Sequence, residues 1–117
     1  MPHQLSEEMR ACIRLCLDCY ASCTECTAHC VAMGGVHAEP AHLTAMADCA
    51  RLCEESANFM LRSSDLHGSV CELCADACER CAVSCERIGG KDAMMRKCAE
   101  TCRRCAASCR AMAGMAA

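Results

Sequence analysis

Sulfur-bearing positions recur along this chain at alternating steps of four and three, with charged and polar residues filling the positions between them. The longest such stripe is Cys12, Cys16, Cys19, Cys23, Cys26 and Cys30. At about 100° per residue these side chains fall within an arc of roughly 80°, one face of an α-helix. The alternation returns in Cys71, Cys74, Cys78, Cys81 and Cys85, and again in Cys98, Cys102, Cys105 and Cys109. A further segment has only Cys49 and Cys53, but His42, Met46, Ser56 and Met60 continue its line. Cys19 to Cys30, Cys74 to Cys85 and Cys98 to Cys109 share the skeleton CxxxCxxCxxxC, so a helical unit is repeated.

The pairs Gly34-Gly35 and Gly89-Gly90 and the polar stretch from Arg62 to Gly68 divide the chain into four segments free of internal Gly and Pro. The pattern predicts helices over 6–33, 40–62, 65–88 and 92–112. Ser6 is the expected N-cap of the first, with Glu7 and Glu8 at the favourable end of the helix dipole. Pro40 suits the first position of the second. The third is expected to start between Ser64 and Ser69, where Ser69 and Glu72 fit a capping box. Helices of this length joined by short loops make an all-α, antiparallel up-down-up-down four-helix bundle, a single domain over 1–117. In such a bundle the stripe that alternates between three and four turns inward, so the cysteines are the expected core. Ile13, Leu17, Tyr20 and Val31 form a flanking stripe, read as packing against a neighbouring helix or as a subunit interface.

Composition sharpens this picture. Of 117 residues, 17 are Cys and 9 are Met, against one Tyr and one Phe, so sulfur stands where Leu, Ile and Phe usually stand. The net charge of −3, with acids and bases interspersed, provides no basic stripe for a phosphate backbone, and nucleic acid is not an expected partner. The opening MPHQLSEEMR has neither the basic region nor the apolar run of an export signal. No segment approaches the 18 or so apolar residues of a membrane span. A soluble protein of the cytoplasm, where thiols stay reduced, is therefore expected. An odd Cys count, and the strain of bridging mid-helix neighbours, argue against a disulfide scaffold.

Thiols three and four residues apart on a helix have Cβ atoms about 5–6 Å apart, a gap that two metal–sulfur bonds of roughly 2.3 Å can bridge. Soft thiolates with thioethers nearby point to Cu(I). Charge argues the same way, because buried thiolates must be neutralised nearly one for one. Cu(I) with bridging thiolates reaches neutrality at one ion per sulfur, whereas separate zinc tetrathiolates leave about −2 each. The alternatives on residues alone are an iron–sulfur electron carrier and a general thiol buffer for zinc or cadmium. The familiar cluster-binding run sits on a loop and ends in Pro, which no cysteine here precedes. No nucleophile triad, phosphate loop or paired carboxylate stands out, so an enzyme is not expected.

With its tandem CxxxCxxCxxxC helices, Gly-Gly breaks and His67-then-Cys71 entry to the third helix, the whole chain resembles the bacterial copper storage proteins of the cytosolic branch. The resemblance implies a four-helix bundle that holds multiple Cu(I) ions inside, on the 17 cysteines named above. It also implies a homo-oligomer, a tetramer in the family pattern. Copper chaperones or cuproenzymes are the partners such a store would exchange with.

An antiparallel bundle has two mouths. One is expected to collect Met33, His37, His42, Met46, Met94 and Met95, and the other Leu5, Met9, Met60, Leu66, His67 and Met112. The first, rich in glycine loops and in polar and sulfur groups, is read as the copper entrance, and the second as the less favoured end. His3 and His29 are read as surface residues.

Overall fold

A computed structural model of the protein describes residues 5–115; His3 lies outside them. The four expected helices are present: α1 over Glu7–Met33, α2 over Pro40–Leu61, α3 over His67–Gly89 and α4 over Ala93–Met115. A short 3-10 turn, Gly35–Ala38, joins the first two. Each helix runs antiparallel to the next and α4 closes against α1, forming an up-down-up-down bundle 54 Å long and 20 Å across. No helix among the described residues is long and apolar enough to cross a membrane.

Local chemistry sets most helix ends. Ser6 Oγ accepts from the Met9 amide at 3.1 Å, and Pro40 opens α2. Gly34, at φ 69°, ends α1 while its N–H donates to the Cys30 carbonyl. At the end of α2, Ser63 takes φ 58°, its N–H donates to the Met60 carbonyl and the Ser64 N–H to the Phe59 carbonyl. These two bonds are a Schellman closure, made here without glycine.

α3 starts within the expected span from Ser64 to Ser69, but its cap and the end of α4 differ from expectation. The capping box of Ser69 and Glu72 does not form, because α3 is already wound at His67. Ser64 starts that turn instead: its Oγ accepts from the Leu66 N–H and its carbonyl from the His67 N–H, with His67 Nδ1 also 2.8 Å from that carbonyl. α4 continues three residues beyond Met112, to Met115. Its start is capped by Asp92, whose Oδ1 accepts from the amides of Met94 at 3.0 Å and Met95 at 3.2 Å.

All 17 cysteines are buried, together with the α2 line of His42, Met46, Ser56 and Met60. Beside the sulfur stripe runs a second buried row: Ala50, Ala57, Ala75, Ala82, Ala99 and Ala106. Each follows an inward Cys or Ser, and successive members on one helix are seven residues apart. Side chains this small let the helices approach closely enough for a core of thiols to fill the space between them. The expected flank divides instead of acting as one face: Ile13 is buried and Tyr20 packs on the core, whereas Leu17 and Val31 are exposed. On the outer surface Arg103 forks onto Glu86, and Arg110 reaches Asp76 and Glu79, so both arginines bridge α4 to α3.

Gly89 closes α3 directly against the start of α4. A Cβ there would overlap the Cβ of Met95. Gly89→Ala is therefore expected to destabilise the reduced, metal-free protein by about 1–3 kcal/mol, the usual cost of overpacking. Denaturant unfolding measures it, and an unchanged midpoint would show that Met95 moves aside freely.

Candidate metal centre

The inward stripes bring cysteines from all four helices into one column of sulfur. Successive Sγ atoms lie 3.5–3.9 Å apart: Cys16 to Cys109 at 3.5 Å, Cys23 to Cys102 at 3.5 Å, Cys49 to Cys78 at 3.6 Å, and Cys53 to Cys105 at 3.8 Å. Sulfurs around a three-coordinate ion with bonds of about 2.3 Å would stand about 4 Å apart, so the column is close to ligand spacing before any ion enters.

The sulfurs gather into overlapping groups whose members come within 4.8 Å of one another. In order along the bundle these are Cys26, Cys85, Cys98; then Cys23, Cys81, Cys98, Cys102; Cys19, Cys23, Cys49, Cys102; Cys19, Cys53, Cys78, Cys105; and Cys16, Cys74, Cys105, Cys109. Each group shares at least one cysteine with the next. An ion in one group is thus bridged by a common sulfur to an ion in its neighbour, and the arrangement favours a continuous thiolate chain over isolated sites. The remaining three cysteines extend it: Cys12 lies 3.9 Å from Cys109, the Cys71 thiol faces Cys109 and Cys12, and Cys30 ends the column at the other side.

Protons are distributed unevenly. The neighbouring Cys109 thiol brings Cys105 down to about 7, while burial pushes Cys30 above the ordinary thiol value. In the metal-free core a thiolate is tolerated only where adjacent thiols donate to it; the rest stay protonated and neutral.

At the Cys30 end, His42 is fully buried. Its Nδ1 lies 2.6 Å from Ser84 Oγ and its Nε2 3.4 Å from Cys30 Sγ. Met95 is equally buried, with Cys26 and Cys30 donating to its sulfur at 3.4 and 3.3 Å. Just outside, His29 Nε2 sits 2.7 Å from Asp92 Oδ2, so His29 is half-buried in a polar cluster and not a plain surface residue. His37 Nε2 lies 3.6 Å from the same oxygen. Met46 is buried one turn below His42. Two members of the expected mouth do not turn into the bundle: Met33, the last residue of α1, is 56% exposed, and Met94, 42% exposed, lines the groove between α1 and α4 with Leu15 and Lys97. Met94 precedes the inward Met95 by one position, about 100° around the helix.

At the opposite end Met60 and Met112 are buried, Met9 packs on the core and Leu66 is exposed. Ser56 Oγ is buried there without a hydrogen-bond partner. Ser84 and Asp92 were not legible as site residues. Ser84 stands seven residues after the buried Ala77, the one periodic signal of its inward position.

The family described as copper storage protein matches residues 5–114. A crystal structure of a protein from Nitrosospira multiformis superposes with a TM-score of 0.87 at 43% identity, over 93% of this chain and 97% of that one. A Cu(I)-bound copper storage protein, BsCsp3, superposes with a TM-score of 0.84 at 31% identity, over 92% of this chain and 99% of that one. No curated protein matches the sequence.

Burial, the first cause, lowers the pKa of His42 below its ordinary value. The native state then disfavours the imidazolium, so stability present above the unfolded-state pKa of about 6.5 is lost as pH falls through that value towards the lowered one. His42→Gln should flatten the stability of the metal-free protein between pH about 6.5 and 5. Thermal unfolding across that range checks it, and parallel curves for variant and wild type would refute it.

Proposed function

Because the chain belongs to the copper storage protein family, matched over residues 5–114, we propose that it stores copper by binding many Cu(I) ions on core thiolates. The observation that carries this reading is the uninterrupted sharing of cysteines between successive groups along the bundle. Bulk storage needs many equivalent ligands in one buried space, and buried thiolates need nearly one positive charge each. Monovalent copper bridged by thiolates meets both demands, and soft sulfur ligands select it.

The ligands in this reading are the 17 cysteines from Cys12 to Cys109, acting within one domain that spans residues 1–117. The protein is a binding protein and not an enzyme. It works in the cytoplasm as a homo-oligomer, limiting free copper and exchanging it with copper chaperones or cuproenzymes. His42 and Met95 act at the entrance, since their nitrogen and sulfur atoms touch Cys30, the last thiol of the column. Met46 supports them from below, and His37 stands at the outer rim. Polar groups and soft donors meet only gradually at this end, which supports the entrance reading over the more apolar end of Met9, Met60, His67 and Met112.

Anaerobic titration with Cu(I), followed by metal and thiol analysis, is expected to reach a capacity near the 17 cysteines of the chain. About one proton should leave per ion, because each thiol must be deprotonated to ligate. Saturation after only a few ions would replace the continuous column with discrete sites. Zinc added in competition should leave the copper in place.

The entrance has its own test. Met95→Leu preserves volume and removes the thioether, and His42→Gln keeps a polar group facing Ser84. Each should slow Cu(I) transfer to a chelator several-fold with capacity changed by no more than an ion or two. Met94→Leu should have no effect, and stopped-flow transfer rates compare the three. Slowing by Met60→Leu instead would move the entrance to the opposite end.

A further inference from the structure

Outside the thiol column, two imidazoles face one carboxylate oxygen. Asp92 Oδ2 receives His29 Nε2 at 2.7 Å and His37 Nε2 at 3.6 Å, from α1 and from the 3-10 turn respectively. The His37 nitrogen is buried and has no hydrogen-bond partner, although it faces a carboxylate. A buried polar atom left in that condition needs an explanation, and a cation shared by the three groups would supply one.

We propose that His29, His37 and Asp92 form a second metal site, for a borderline divalent cation such as Zn(II), separate from the copper-binding thiolates. Two imidazoles and a carboxylate are the ligand set of many such sites, and sulfur is absent from this one. Around a tetrahedral ion with bonds of about 2.0–2.1 Å, adjacent donor atoms stand about 3.3 Å apart. The present 2.7 and 3.6 Å lie on either side of that spacing, so a shift of a few tenths of an ångström equalises them. The imidazoles stand edge to face with centroids 6.1 Å apart. Sharing one ion would draw them closer by roughly 1 Å, which pulls the 3-10 turn towards the bundle.

The carboxylate is suited to this role. Its other oxygen, Oδ1, caps α4, which fixes the side chain's orientation. A bound ion would then tie α1, the turn before α2 and the start of α4 together over the end of the column marked by Cys30 and His42. The site does not depend on the column being a copper store.

Co(II) is the probe, added anaerobically to the full-length protein after Cu(I) has saturated the thiols; the copper content is measured on the same sample. Wild type is expected to take up one equivalent of Co(II), with visible ligand-field bands and no sulfur-to-cobalt charge-transfer band. His37→Ala and Asp92→Asn should each lose that equivalent, and Zn(II) should displace it from wild type. Asparagine keeps the helix cap, so unchanged circular dichroism and copper capacity in Asp92→Asn separate a lost ligand from a lost fold. In copper-saturated protein, absence of the equivalent in wild type, its persistence in either variant, or a sulfur charge-transfer band accompanying it would each overturn the site. A low copper content leaves thiols free to take up Co(II) with its sulfur band and counts against storage alone; the site is then read from the ligand-field absorbance that wild type has beyond both variants.

Discussion

Buried sulfurs 3.5–3.9 Å apart require four helices that approach closely along the sulfur column, and side chains the size of Cys and Ala between them permit it. A leucine on the inward stripe would push its helix outward and separate the thiols it faces. The Ala row from Ala50 to Ala106 is thus as necessary to the column as the cysteines, although it contributes no ligand. The 20 Å cross-section of the bundle is the visible result.

That narrow core has an energetic consequence. Burial stabilises by about 25 cal/mol per Å² of apolar surface, and Cys and Ala have little surface to remove from water. Bulk is supplied instead at the two ends, where Met46, Met95, Met60 and Met112 are buried and can fill irregular space with a flexible side chain. Helix-favouring Ala, Arg, Glu and Met along the four segments make local structure cheap. The thiols themselves are acceptable core groups while protonated, and become a charge burden only when they ligate, which is when a cation is present to balance them.

The two ends of the bundle differ in kind. At one, Met60 and Met112 close the column with apolar bulk and the buried Ser56 hydroxyl. At the other, Cys30 and Met95 give way to His42, held by Ser84, and then to the half-buried group of His29, His37 and Asp92. Donor softness falls step by step from sulfur to imidazole to carboxylate on the way out. Gly89 makes this possible by leaving room for Met95 to turn inward over the last thiol.

Periodicity is a property of the chain alone, so the helices, their inward stripes and the set of cysteines in the core could all be read from residue spacing. Even the poorer stripe of α2 was legible, because His42, Met46, Ser56 and Met60 keep the same steps as the cysteines around them. Ends of helices were less so: a Schellman closure on Ser63 carries no glycine to mark it, and Ser64 began α3 ahead of a plausible capping box. Grouping was not legible at all. Which cysteines meet depends on the axial offset of antiparallel helices, and that offset is a property of how the four helices pack on one another. Met95 keeps the steps of Cys98, Cys102, Cys105 and Cys109, so its inward direction and the outward one of Met94 follow from spacing alone. The convergence of His29 with His37 and Asp92, distant in sequence, by contrast required the folded chain, because sequence spacing fixes the face of one helix and says nothing of what another brings to it.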